Sequence, residues 1–217
     1  MGDNNESSGS LVASYLTLRK AIGWLGLTMP FVLSIGGLVI FSATLQDSIS
    51  DYYYTGMENV FVGMVCVIGV FLFSYKGYEK KDDLAGDLAC FFAVIVALFP
   101  TTPEHDPSSA QKLIGVIHFA SAAMFFLILA YFSLCLFPKT SPTKKATAQK
   151  LARNKIYRIC GALILVSLML IAIFNLLPGS LADKFVSLRP VFFLEAIAMI
   201  AFGISWLVKG ETVLADK

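Results

Sequence analysis

Residues 113–137 read LIGVIHFASAAMFFLILAYFSLCLF, twenty-five positions without an Asp, Glu, Lys or Arg and with a single histidine, His118. Coiled as an α-helix, such a run is about 37 Å long, enough to cross a hydrocarbon core of roughly 30 Å with some tilt. A soluble helix of this length would carry a polar stripe at its own period, and none is present.

Outward from this stretch the pattern repeats. Apolar runs at 21–43, 58–77, 84–100, 157–178 and 190–208 join it to predict six transmembrane spans. The chain of 217 residues is 57% apolar and only 15% charged. Its mean hydropathy of +0.73 excludes a secreted disulfide domain, a nucleic-acid binder and a soluble metabolic enzyme. The expected fold is all-α, a polytopic membrane bundle of six helices. The first run is too long for a signal-peptide core, so it is read as a retained span.

Charge sets the expected orientation. One set of alternate loops holds fourteen of the seventeen Lys and Arg residues, among them Arg19, Lys20, Lys76, Lys80, Lys139, Lys150, Arg153 and Lys209. The other set holds only Lys112, Lys184 and Arg189 against six acids, Asp47, Asp51, Glu58, Glu104, Asp106 and Asp183. Positive loops stay cytoplasmic, so both termini are placed inside. This divides the chain into a cytoplasmic lead-in at 1–20, one membrane domain at 21–208 and a cytoplasmic tail at 209–217. Residues 1–10 read as disordered, and residues 138–156, with Pro138, Pro142 and several lysines, as the one substantial linker. Trp24 and Trp206 are expected in the inner interfacial belt. Cys66, Cys90, Cys135 and Cys160 lie in or beside spans, without zinc or disulfide spacing, and read as packing residues.

Ionisable groups at membrane depth cost roughly 2.5 to 3.5 kcal/mol at a span centre, so each needs a reason. Asp87 fits a helix N-terminus at the inner edge. Glu58, with Asn59, opens the second span from outside, while His118 and Glu195 each lie about 8 Å inside their spans. With Ser50 and Asp51 of the preceding loop, these residues form a candidate ligand-binding layer in the outer leaflet. His118 shares a helix face with Gly115, Ser121 and Ala122, and Asn59 with Gly56 and Gly63, small neighbours that suit close helix contacts. The layer is read either as an interhelical hydrogen-bond network or as an outward-facing cavity.

Its chemistry stays open among three readings. A cavity of this kind suits a lipid headgroup or small ligand in a sensing, scaffolding or lipid-handling role. A hydrolase would use His118 as base, Glu195 as orienting group, and Ser50 or a metal-bound water as nucleophile. A small proton-coupled transporter would exchange protons between His118 and Glu195. No cofactor and no resident metal is expected, and the expected partners are membrane lipids and a membrane protein or second copy of the chain.

Six spans, the Ile49-Ser50-Asp51 motif before the second, His118 entering the fourth ahead of Ala120, Ala122, Phe125 and Phe126, and Glu195 early in the sixth together resemble the DRAM-like superfamily. That group includes GPI-anchor lipid-remodelling factors and bacterial membrane proteins. The chain departs from the pattern where Tyr52-Tyr53-Tyr54-Thr55 precede Gly56 and where Glu58 follows no proline. The resemblance implies a plasma-membrane role touching lipids or another membrane protein, and implies no particular reaction. A weaker likeness is to seven-span lipid hydrolases that hold zinc through Ser, Asp and several His residues. This chain has only His105 and His118.

Overall fold

A computed structural model describes residues 3–77, 79–140 and 147–214, with side chains from residue 14 onward except at Lys81. Residues 1, 2, 78, 141–146 (including Pro142 of the linker) and 215–217 lie outside the described residues. Among the described residues the fold consists of seven α-helices and two short helical turns, with no strand. The helices are α1 (Asp3–Phe41), α2 (Glu58–Phe73), α3 (Lys80–Leu98), α4 (Ser109–Tyr131), α5 (Ala148–Leu176), α6 (Gly179–Val186) and α7 (Pro190–Lys209).

Local sequence explains most boundaries. Ser108 caps α4 in a capping box, its hydroxyl accepting from the Gln111 N–H at 3.3 Å while the Gln111 side chain accepts from the Ser108 N–H at 2.9 Å. Thr147 caps α5 through the Lys150 N–H, and Ala148-Gln149-Lys150-Leu151-Ala152 are good helix formers. That is why α5 begins inside the stretch expected to be a linker. Similarly, no proline interrupts 3–20, and α1 extends back through the segment expected to be disordered. The end of α4 widens into a π-turn at Phe132–Leu136, one residue before Phe137-Pro138.

Among the described residues, four helical stretches are long and apolar enough to cross a membrane: Ser14–Phe41, Ser109–Leu136, Ala148–Leu176 and Pro190–Lys209. The sixteen residues of α2 span about 24 Å. In α3, Lys80, Lys81, Asp82, Asp83 and Asp87 occupy the first two turns.

The helices close into a ring. α1 packs on α2, α2 on α3, α3 on α4, α4 on α5, α5 on α7, and α7 back on α1. The closest seam is α1 with α7. A Cβ added to Gly203 would come within 2.7 Å of the Gly23 carbonyl oxygen, so glycine lets the two backbones touch. At one end of the ring, Trp206 is fully buried among Tyr75, Phe132 and Phe137, at centroid distances of 5.6, 5.5 and 5.1 Å. This corrects its expected place in an interfacial belt, because the seam with α1 turns that face of α7 inward. Trp24 is half exposed.

The outer wall of the ring is apolar. Phe31, Ile35, Leu38 and Val39 of α1, and Leu163, Val166, Leu170 and Ile173 of α5, are exposed. Only 22% of the most apolar window of α5 is buried within the protein. Water does not tolerate so large a contiguous apolar surface on a monomer, whereas lipid does.

Candidate functional site

The end of the ring where α1 finishes and α7 begins is covered by residues 42–57, which include a 3-10 turn at Ser50–Tyr54. Several ties hold this cover down. The Phe192 N–H, in the first turn of α7, donates to the Asp47 carbonyl at 2.9 Å. The Ile49 N–H donates to the Glu195 carboxylate at 2.7 Å, and the Ser50 N–H faces the same carboxylate. Arg189 is ion-paired with Asp47. The Thr101 hydroxyl donates to Asp51 Oδ1 at 2.7 Å, and the Tyr54 hydroxyl donates to the Thr101 carbonyl at 2.5 Å.

Arg189 deserves its own physical account. Its φ of 50° lies in the left-handed region, which a residue with a Cβ reaches at a cost. The turn between α6 and Pro190 is sharp enough to require it, and the ion pair with Asp47 holds the residue there.

His118 is buried, on the same inward face of α4 as Gly115 and Ser121. Its Nδ1 lies 2.6 Å from the Phe99 carbonyl at the end of α3. A carbonyl only accepts, so Nδ1 carries the proton and the ring is fixed in that orientation. Gly115 makes room for the approach, since a Cβ there would collide with Thr102. The inward phase expected for His118 from its small neighbours is the one observed.

Ser50, Asp51, His118 and Glu195 therefore meet at this end of the molecule. Asp51 is within electrostatic range of both His118 and Glu195. Glu58 and Asn59 stand on the exposed side of the first turn of α2. The buried face of that helix runs through Phe61, Val65, Ile68 and Leu72, continuing Met57, and leaves both residues pointing away from it. Gly63 has open space where a neighbour would be, whereas Gly56 packs closely against the Phe41 ring, so only one end of the small face of Asn59 is in contact. Asn175, at the end of α5, is exposed and bonds its own helix at Ile171.

Beneath the cover lies a small cavity of about 30 Å³, room for about one or two water molecules. Ile49, Ser50 and Glu195 form its roof, and Phe61, Val65, Phe125 and Met199 are among the apolar side chains below. Among the described residues, no group of three or more His, Cys, Asp or Glu side chains is arranged to hold a metal ion.

The partners that matter most at this site were not legible in the sequence. Glu195 and His118 bond backbone groups of Ile49 and Phe99, and a backbone atom has no sequence signature. The Asp47–Arg189 pair spans most of the chain. A positively charged residue directly before Pro190, at a helix start that favours acids, was the one available hint.

Long apolar helices with an apolar outer wall define a helical membrane protein. No family model, curated protein or solved structure matches the chain.

Proposed function

We propose that the chain is a six-span protein of the plasma membrane, with both termini cytoplasmic, whose outer cover over Asp51, His118 and Glu195 receives a polar headgroup or small ligand in a sensing or lipid-handling role. Charge sorting supports the orientation, and the exposed apolar side chains Val67, Val70, Leu88 and Phe91 support α2 and α3 as the two remaining spans. The resemblance to the DRAM-like superfamily supports the same reading.

One observation carries the ligand reading. Asp51 on the covering loop lies within electrostatic range of His118 and Glu195, and the same loop roofs an apolar cavity with Glu195 at its edge, so polar and apolar groups adjoin there. An amphiphile has that profile. The cavity has room for only about one or two water molecules, so a ligand enters when residues 42–57 lift away from Glu195. The two carboxylates favour a headgroup that bears an amine.

The experiment is native mass spectrometry of the protein released from nanodiscs of phosphatidylethanolamine, phosphatidylcholine or phosphatidylglycerol, comparing wild type with Asp51→Asn and Glu195→Gln. Selective retention of the ethanolamine lipid by wild type, weakened in both variants, supports the proposal. Equal retention of all three lipids by all three proteins overturns it. Lipid turnover that His118→Ala abolishes would instead establish the hydrolase.

A further inference from the structure

The short helix α6 joins α5 and α7, both of them long and apolar enough to cross a membrane. Two residues, Leu177 and Pro178, separate it from α5, and three, Ser187, Leu188 and Arg189, separate it from α7. At about 3.6 Å per extended residue, these links keep each end of α6 within about 14 Å of its neighbour. The helix therefore stays near the level at which α5 and α7 leave the apolar layer.

Its sequence has two sides. Wound at about 100° per residue, Leu181, Ala182, Phe185 and Val186 fall on one half of the helix, and Ser180, Asp183 and Lys184 on the other. Leu188 follows in the turn that ends the helix, its N–H donating to the Phe185 carbonyl at 3.0 Å. The apolar half is not spent on packing within the chain. No residue of α6 is buried, and Leu181, Phe185 and Val186 are 40%, 44% and 42% exposed. Ser180, Asp183 and Lys184 are exposed as well.

Continuity with the outer wall names what covers the apolar half. The exposed apolar side chains of α5 continue through Ile173 to Leu176, three residues before α6, and those of α7 begin at Phe193 and Ile197. These walls face lipid, and α6 is tied between them. A helix with one apolar and one polar half, held at that level, fits the boundary between acyl chains and headgroups. Asp183 and Lys184 cancel in charge, so apolar burial drives the seating and a neutral bilayer suffices for it.

We propose that α6 lies flat on the bilayer, with Leu181, Phe185 and Val186 turned into the acyl boundary of the leaflet where α5 ends and α7 begins. This placement rests on α5 and α7 being spans. It is independent of which side is cytoplasmic and of any ligand beneath the cover.

The test places one full chain in each phosphatidylcholine nanodisc, in a background free of the four native cysteines. Ser180→Cys, Leu181→Cys, Asp183→Cys and Phe185→Cys each carry a nitroxide. Collisions with oxygen, which concentrates in lipid, are compared with collisions with a nickel chelate confined to water. Oxygen is expected to dominate at 181 and 185 and the chelate at 180 and 183. Equal access of the chelate to 183 and 185 overturns the placement. Exclusion of the chelate from 185 only in discs that hold two chains also overturns it, and makes this face a contact between copies. Should the cysteine-free chain fail to fold, wild type is labelled with a lipid-soluble carbene precursor. Insertion at Leu181 or Phe185 as well as at Leu170 and Ile173 of α5 supports the placement. Insertion confined to α5 overturns it, and insertion in neither helix removes α5 as a span and the placement with it.

Discussion

At Glu195 a single carboxylate decides whether the cover stays against α7. Glu195→Leu leaves the Ile49 N–H without its acceptor, a loss of about 1–3 kcal/mol. Glu195→Gln keeps an acceptor of the same shape, costing about 1 kcal/mol or less. Chemical denaturation in detergent should rank wild type above Gln and Gln above Leu. Equal stability of the two variants would mean that the bond to Ile49 contributes nothing. The sequence singled out Glu195 and His118, because a polar group in an apolar run is conspicuous. It paired them with each other and with Asn59, whereas their nearest hydrogen-bond partners are the main chain at Ile49 and Phe99.

Among the helices, the glycines separate contact from open space. Gly203 lies on the α1–α7 seam, so Gly203→Val should lower the thermal midpoint by several degrees or prevent folding, by forcing backbones apart. Gly63 faces open space on α2, and Gly63→Ala should be neutral or stabilising by up to about 1 kcal/mol through helix propensity. Circular dichroism melting of both variants checks the pair, and a neutral Gly203→Val would refute the seam.

The 3-10 turn supplies a pH test. Burial pushes the Tyr52 phenol above its ordinary range, with the Arg189 charge opposing the shift. The folded chain then keeps a proton that the unfolded chain loses near pH 10. Stability is therefore full below about pH 10 and falls as pH rises through the folded pKa, the sign for a group protonated more tightly when folded. Burial raises Tyr54 as well, so ultraviolet titration should show late-ionising tyrosines and Tyr52→Phe should remove one of them. Element positions were largely readable: the expected runs at 113–137 and 190–208 fall within a few residues of the helical stretches Ser109–Leu136 and Pro190–Lys209. The short α6 was missed, since eight residues are too few for a periodic signal.

On the scale of the whole molecule, charge asymmetry makes a topology prediction. In a background free of the four native cysteines, cysteines placed at 106 and 183 should react with an impermeant reagent from outside, and one at 140 only after permeabilisation. The reverse pattern would invert the proposed orientation. The sequence by itself determined that the protein is helical, where the apolar runs lie and how charge divides between their ends. Lipid imposes those features locally, demanding enough apolar length and internal backbone bonding in each span. Only the tertiary structure decided which face of each span turns inward. It buried Trp206, left Asn59 outside, and brought Asp51 to His118 and Glu195. A span that is apolar all round carries no stripe to mark its inner face, so packing between helices sets that choice.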